Sequence, residues 1–299
     1  MRKLVVLALV GFGAQLVDGS LGMGYGVTSS SLLILAGLTP AAASASVHIS
    51  ELGTNLASGL AHWKLRNVDW RVVTRIAGPG AIGAFVGATV LSGLSTVAAR
   101  PIMATILALL GAYVLARFVV GFAPPKLKRQ LSIRFLAPLG LFAGFVDATG
   151  GGGWGPVATP ALLADGRLQP RKVIGSIDTS EFAVSLAASL GFLVGLGVAG
   201  INWGFALALL AGGLVAAPLA ALLVRYAPTH LLGVAIGGLI VLTNTRTLLT
   251  GFEVAGPSRW WVYGAILLVT VSGLYVAGAR ARNRAESTSD AQTETTLHA

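Results

Sequence analysis

Five carboxylates stand within or beside long apolar runs of this chain: Asp18, Glu51, Asp147, Asp178 and Glu181. An ionisable group at membrane depth is expensive to keep and marks function by default. His48 precedes Glu51 by one helical turn, and Asp178 precedes Glu181 in the same way, so each pair would share a helix face. Ser46 and Ser50 join the first face; Ser176, Thr179 and Ser180 belong with the second. Two such polar stripes can line a cavity. The glutamates then have two roles open to them. Protonated, they could sit beside a bound anion and couple its movement to protons. Ionised, they could accept hydrogen bonds from irregular backbone and hold it in place, and the same two roles are open to Asp178. His48 has no histidine counterpart in the second stripe and also reads as a structural partner of Glu51.

Two glycine-rich breaks accompany the stripes: "VDGSLGMGYGV" (17–27) and "VDATGGGGWGP" (146–156). Hydrocarbon offers no hydrogen bonds, so non-helical backbone survives there only inside protein or beside a watery cavity. The segments that follow, "VTSSSLLIL" (27–35) and "PVATPALLA" (156–164), would start half-helices with partial positive charge at their N-termini. Two such ends meeting near the midplane would hold a small anion without a buried Lys or Arg. Gly24, Tyr25, Gly26, Thr28, Gly153, Trp154 and Gly155 are the candidates for that contact, with Ser46, His48, Ser50, Ser176, Thr179 and Ser180 lining it. Asp18 and Asp147 are placed to cap the breaks. Tyr25 and Trp154 could instead be packing aromatics. Gly83/Gly87 and Gly191/Gly195 have the small-xxx-small spacing of close helix packing.

Enzymatic machinery is not visible. The chain has no Walker A, H-E-x-x-H or G-x-S-x-G motif, and no cysteine for a thiol nucleophile, disulfide or thiolate metal site. "GGGGWG" (150–155) satisfies a dinucleotide fingerprint without the βαβ unit that gives it meaning. His48 with Ser46, Ser50 and Glu51 is the one nucleophile-and-base set, and its place within a membrane helix argues against catalysis. The reading is a non-enzyme with no cofactor and no metal.

The elements that must position these residues follow from composition. Of 299 residues, 55% are hydrophobic and 11% charged, against about 25% charged in soluble domains. Mean hydropathy is +0.79. Basic residues fall in short loops between apolar runs, which suits a lipid bilayer and excludes a nucleic-acid face. The start, "MRKLVVLALVGFG", mimics a signal peptide but is expected to be retained, because residues 11–18 recur later. "GFGAQLVD" (11–18) matches "GLFAGFVD" (140–147), "SVHISE" (46–51) matches "SIDTSE" (176–181), and "VDW" (68–70) matches "INW" (201–203). The chain is therefore a duplicated membrane unit.

Loop charge bears on how the halves relate. If each broken pair crosses once, the repeats are parallel and 13 of the 21 Lys and Arg lie inside. If each is a re-entrant hairpin, the repeats are inverted and 16 of the 21 lie inside. The positive-inside rule favours inversion, although Arg2 and Lys3 at the start count against it. The expected fold is an all-α polytopic membrane protein of two inverted repeats. Each repeat has a Gly-broken half-helix pair plus three spanning helices, and a further C-terminal helix follows. The expected divisions are a first repeat at 1–121, a cytoplasmic basic linker at 122–132, and a second repeat at 133–250. A final transmembrane helix at 251–279 and a disordered polar tail at 280–299 complete the chain.

At the breaks and the helix starts behind them the chain resembles the sulfite exporter TauE/SafE family of membrane permeases. The resemblance covers roughly 11–250 and is best in "GFVDATGGGGWGPVATPALL" (144–163), followed by "GSIDTSE" (175–181). It departs in the first half, where "LGMGYG" replaces a more uniform glycine run. The resemblance implies a multi-pass permease of the cytoplasmic membrane for sulfite, an organosulfonate or a related organic anion, without ATP hydrolysis by the chain. Proton coupling fits the glutamates. An uncoupled, channel-like anion path and a cation transporter using the intramembrane acids are the alternatives, and a homo-oligomer is compatible with either.

Overall fold

The computed structural model describes residues 2–21, 23–120, 131–165, 168–223, 229–254 and 256–297. Gly22 and most of the basic linker at 122–132 lie outside them. Within them the long segments are all helical: α1 (Arg2–Leu21), α2 (Tyr25–Leu35), α3 (Pro40–Lys64), α4 (Trp70–Gly93), α5 (Thr96–Val120), α6 (Ile133–Gly150), α7 (Trp154–Asp165), α8 (Pro170–Leu196), α9 (Trp203–Leu223), α10 (Thr229–Gly251) and α11 (Ser258–Leu297). Six of these helices have stretches long and apolar enough to span a membrane. In hydrocarbon a helix satisfies its own backbone, which is why apolar runs of this length take that form. α11 continues past the apolar stretch into the polar tail.

Local signals start the helices between crossings. Thr39 Oγ1 accepts from Ala42 N, with Pro40 in the first turn of α3. Asp69 accepts from Arg71 N at α4, and Ser132 from Arg134 N at α6.

Close glycine contacts give the helix directions. Gly83 lies on Leu141, Gly87 on Phe145 and Gly144 on Gly80, so α4 and α6 run parallel. Gly191 meets Phe85 and Gly195 meets Ser92, so α8 also runs parallel to α4. Gly83, Gly87, Gly191 and Gly195 are thus packing glycines. Along α1 and α9, Ala8 meets Gly212 and Gly19 meets Ala220, again in parallel. In contrast, α5 and α10 are antiparallel, with Gly111 on Ile240, Leu115 on Gly237 and Phe118 on Gly233. So are α3 and α8, where His48 meets Phe192 and Gly59 meets Thr179. Several contacts occur twice: Gly11 on Leu209 and Gly140 on Ile76, and Tyr25 over Gly213 and Trp154 over Gly80.

Candidate substrate-binding site

The two breaks are built alike. α1 ends at Leu21, and Gly24 turns the chain into α2 at φ +128, where a side chain would be strained. Asp18, buried in the last turn of α1, accepts from Tyr25 N through Oδ1 at 3.1 Å. In the second half α6 ends at Gly150, and Gly151 and Gly152 follow at φ +69 and +142. Asp147 Oδ1 accepts from Gly153 N at 2.6 Å and Trp154 N at 3.0 Å. Each carboxylate therefore takes up backbone donors where its helix breaks.

Not every donor is used this way. The first helical bond of α2 is Thr28 N to Gly24 O, and that of α7 is Val157 N to Gly153 O. The N–H groups of Gly26, Val27 and Gly155 come before these ladders begin, and Pro156 has none.

The breaks also touch each other. A Cβ on Gly152 would stand 2.2 Å from Val27 N, and one on Gly26 would stand 2.6 Å from Gly152 Cα. Ser30 Oγ donates to Gly151 O, and Ser44 Oγ donates to Ala148 O at 2.7 Å. Only glycine permits this approach of backbone to backbone. The N-terminal end of α2 therefore abuts the turn that precedes α7.

Around this junction lies a fully buried polar group. His48 Nδ1 bonds Ser44 O at 2.9 Å, so that nitrogen carries a proton. Its Nε2 faces Asp147 Oδ2 at 3.3 Å. His48 thus pairs with a carboxylate of the other half and not with Glu51, which turns toward α8. Glu51 Oε2 accepts from Ser185 Oγ at 3.1 Å, and Asn55 Nδ2 donates to that hydroxyl at 3.4 Å. Glu51 Oε1 has no hydrogen-bond partner among the described residues and would lie 3.1 Å from a Cβ on Gly26. Tyr25 OH bonds Ser50 Oγ at 2.9 Å. The Thr28 and Ser29 hydroxyls are buried without a partner among the described residues.

Other candidates stand elsewhere. Trp154 is fully buried against Gly80 and Val184, and its indole N–H donates to Ile177 O at 3.1 Å, so it is a packing anchor. The Ser46, Thr179 and Ser180 hydroxyls each donate to a carbonyl of their own helix. Ser176 accepts from Asp69 N at the basic-loop end. Asp178 Oδ2 lies 3.9 Å from His62 Nε2, beside a cavity of about 120 Å³ that includes Gly19, Ser58 and Arg171. Glu181 is half-buried while Glu51 is fully buried, so the two stripes are not equivalent. Among the described residues no group of His, Asp and Glu is arranged to hold a metal.

Sequence reasoning missed Ser185, Asn55, Ser44, Ser30 and Asn244. Asn55 and Ser185 sit one turn beyond Glu51 and Glu181, so helical spacing could have found them. Asn244 donates to Ser31 Oγ at 2.7 Å across the two halves, and no spacing announces that.

The model of a family described as Sulfite exporter TauE/SafE matches residues 7–247, which include both breaks. The chain belongs to the sulfite exporter TauE/SafE family. The probable membrane transporter protein YtnM of Bacillus subtilis (strain 168) is 48% identical over 286 residues, 95% of each chain. No solved structure matches. This TauE/SafE member is a multi-pass membrane transporter of the cell membrane.

Proposed function

We propose that the protein is a secondary transporter that moves a small anion, such as sulfite, an organosulfonate or a related organic anion, across the cytoplasmic membrane. One observation carries this reading. The N-terminal end of α2 and the turn into α7 meet at Gly26 and Gly152, with backbone N–H groups ahead of each helical ladder. Helix N-termini attract negative charge. The buried residues described include no Lys or Arg, so apart from His48, which already faces Asp147, the backbone is the available source of positive potential.

The nearby carboxylates then need protons. Glu51 Oε1, protonated, would donate to an anion held at Gly26; ionised, it would repel the anion. Proton coupling through Glu51, with Glu181 as the half-buried counterpart, follows from that switch. Asp18 and Asp147 have a capping role, and Asp147 also orients His48.

An inverted arrangement of the halves belongs to the same reading. It is supported by the antiparallel runs of α3 against α8 and of α5 against α10, which are counterparts in the two halves. The parallel run of α6 and α8 with α4 supports a re-entrant α6–α7 pair, because α7 must return the chain to the side that α6 left. The basic-loop side is then the cytoplasm. Cation transport is the second reading, drawn from the excess of buried carboxylates over His48.

The test is sulfite flux into proteoliposomes, with and without a pH gradient, against empty liposomes. Sulfite movement that follows the gradient is expected. In Glu51→Gln the gradient dependence should vanish while binding is retained. Unchanged pH-driven flux in that variant would remove Glu51 from coupling. No sulfite movement by folded protein would remove sulfite as substrate.

A further inference from the structure

A cavity of about 470 Å³ lies at the end of the helices away from the basic loops, between the end of α2, the start of α5 and the end of α10. Arg100 and Arg246 both line it, with Thr247 and Thr250. Its other walls are apolar: Val97, Leu248 and Phe252 are among them. Neither arginine has a carboxylate within ion-pair distance among the described residues, although Glu253 lies in the turn just beyond Phe252. Two unneutralised guanidinium groups beside an apolar wall suit an anion that carries an apolar body. The volume is within the range of small-molecule pockets, about 300–1,000 Å³.

The cavity also leads toward the break. One turn below Thr247 on α10 is Asn244, buried, whose Nδ2 donates to Ser31 Oγ at 2.7 Å. Its Oδ1 has no partner among the described residues. One turn before Ser31 on α2 is Thr28, whose buried hydroxyl also lacks one among those residues, and Gly26 lies just before it. A line of polar groups with spare hydrogen-bonding capacity thus runs from the arginine cavity to the glycine junction.

We propose that this cavity is a docking site for an organic anion, whose acid group meets Arg100 and Arg246 and whose apolar body lies against Val97, Leu248 and Phe252. Its place as the outer mouth of the path rests on the anion-transport reading; binding at the arginines does not.

The probe is 1-butanesulfonate, titrated calorimetrically into the full-length protein in phosphatidylcholine nanodiscs. Binding is expected, and it should weaken as salt is raised. The R100Q/R246Q variant should bind at least tenfold more weakly. R100K/R246K, which keeps the charge, should recover part of the loss. Both arginines are exposed, so the variants should fold, which size exclusion and a thermal melt verify. Wild-type affinity in folded R100Q/R246Q would overturn the proposal. Loss of butanesulfonate binding in phosphatidylglycerol nanodiscs would also overturn it, by making a lipid head group the occupant. Arginine-dependent binding in a protein that moves no anion would refute the transport reading and leave the site standing. Flux without arginine-dependent binding would do the reverse.

Discussion

Gly152→Ala tests the contact on which the site depends. At φ +142 an alanine is strained by about 1–3 kcal/mol. Its Cβ would also lie 2.2 Å from Val27 N and 2.3 Å from Gly26 C. Both are backbone atoms, so no side chain can swing aside. Relief requires α2 to move off the α6–α7 turn, and overpacking of this kind costs about 1–3 kcal/mol more. The two effects together reach about 2–6 kcal/mol, a large part of a typical domain's stability of about 5–15 kcal/mol. The same displacement would carry Gly26 N–H away from the junction. Gly197→Ala separates strain from clash: it sits at φ +66 with nothing within 4 Å of the added Cβ. Gly78→Ala, at a helical position with open space, should cost nothing and gain about 0.5–1 kcal/mol of helix stability. Thermal unfolding and proteoliposome flux would be measured on all three. The expected order of melting is Gly78→Ala highest, Gly197→Ala next and Gly152→Ala clearly lowest. Folded Gly152→Ala should retain less than about a tenth of wild-type flux, equivalent to about 1.4 kcal/mol or more on the barrier. Equal melting of Gly152→Ala and Gly197→Ala, with wild-type flux in both, would show that the two breaks do not abut.

The two capping carboxylates should differ. Asp147→Ala strands Gly153 N and Trp154 N and removes the carboxylate 3.3 Å from His48 Nε2, whereas Asp18→Ala strands Tyr25 N alone. At about 1–3 kcal/mol per buried unsatisfied group, Asp147→Ala should unfold at a distinctly lower temperature, and equal melting would contradict its double role. The chain has no cysteine, so single cysteines report topology without background. Ser95→Cys, in the turn between α4 and α5, should react with an impermeant maleimide in intact cells. Asn67→Cys, in the basic loop between α3 and α4, should react only after lysis, and the opposite pattern would invert the assigned sides.

Much of this protein was legible in the sequence because its causes are local. Apolar runs of spanning length become helices wherever hydrocarbon leaves the backbone no other partner. Glycines at 24, 151 and 152 mark the breaks because they take conformations that other residues resist, and the aspartate ahead of each break reaches the N–H groups a few residues on. Helical spacing identified a polar face on α3 and another on α8 without naming what each face would meet. That choice was tertiary. His48 pairs with Asp147 of the other half because α3 packs beside the end of α6, and Glu51 meets Ser185 because α3 and α8 run antiparallel. Trp154 became a packing anchor because Gly80 leaves a hollow on α4. Arg100 and Arg246, unremarkable in two distant runs, share one cavity because α5 and α10 pair antiparallel. Periodicity determines which side of a helix is polar; only the packing of helices far apart in the chain decides which partner that side faces.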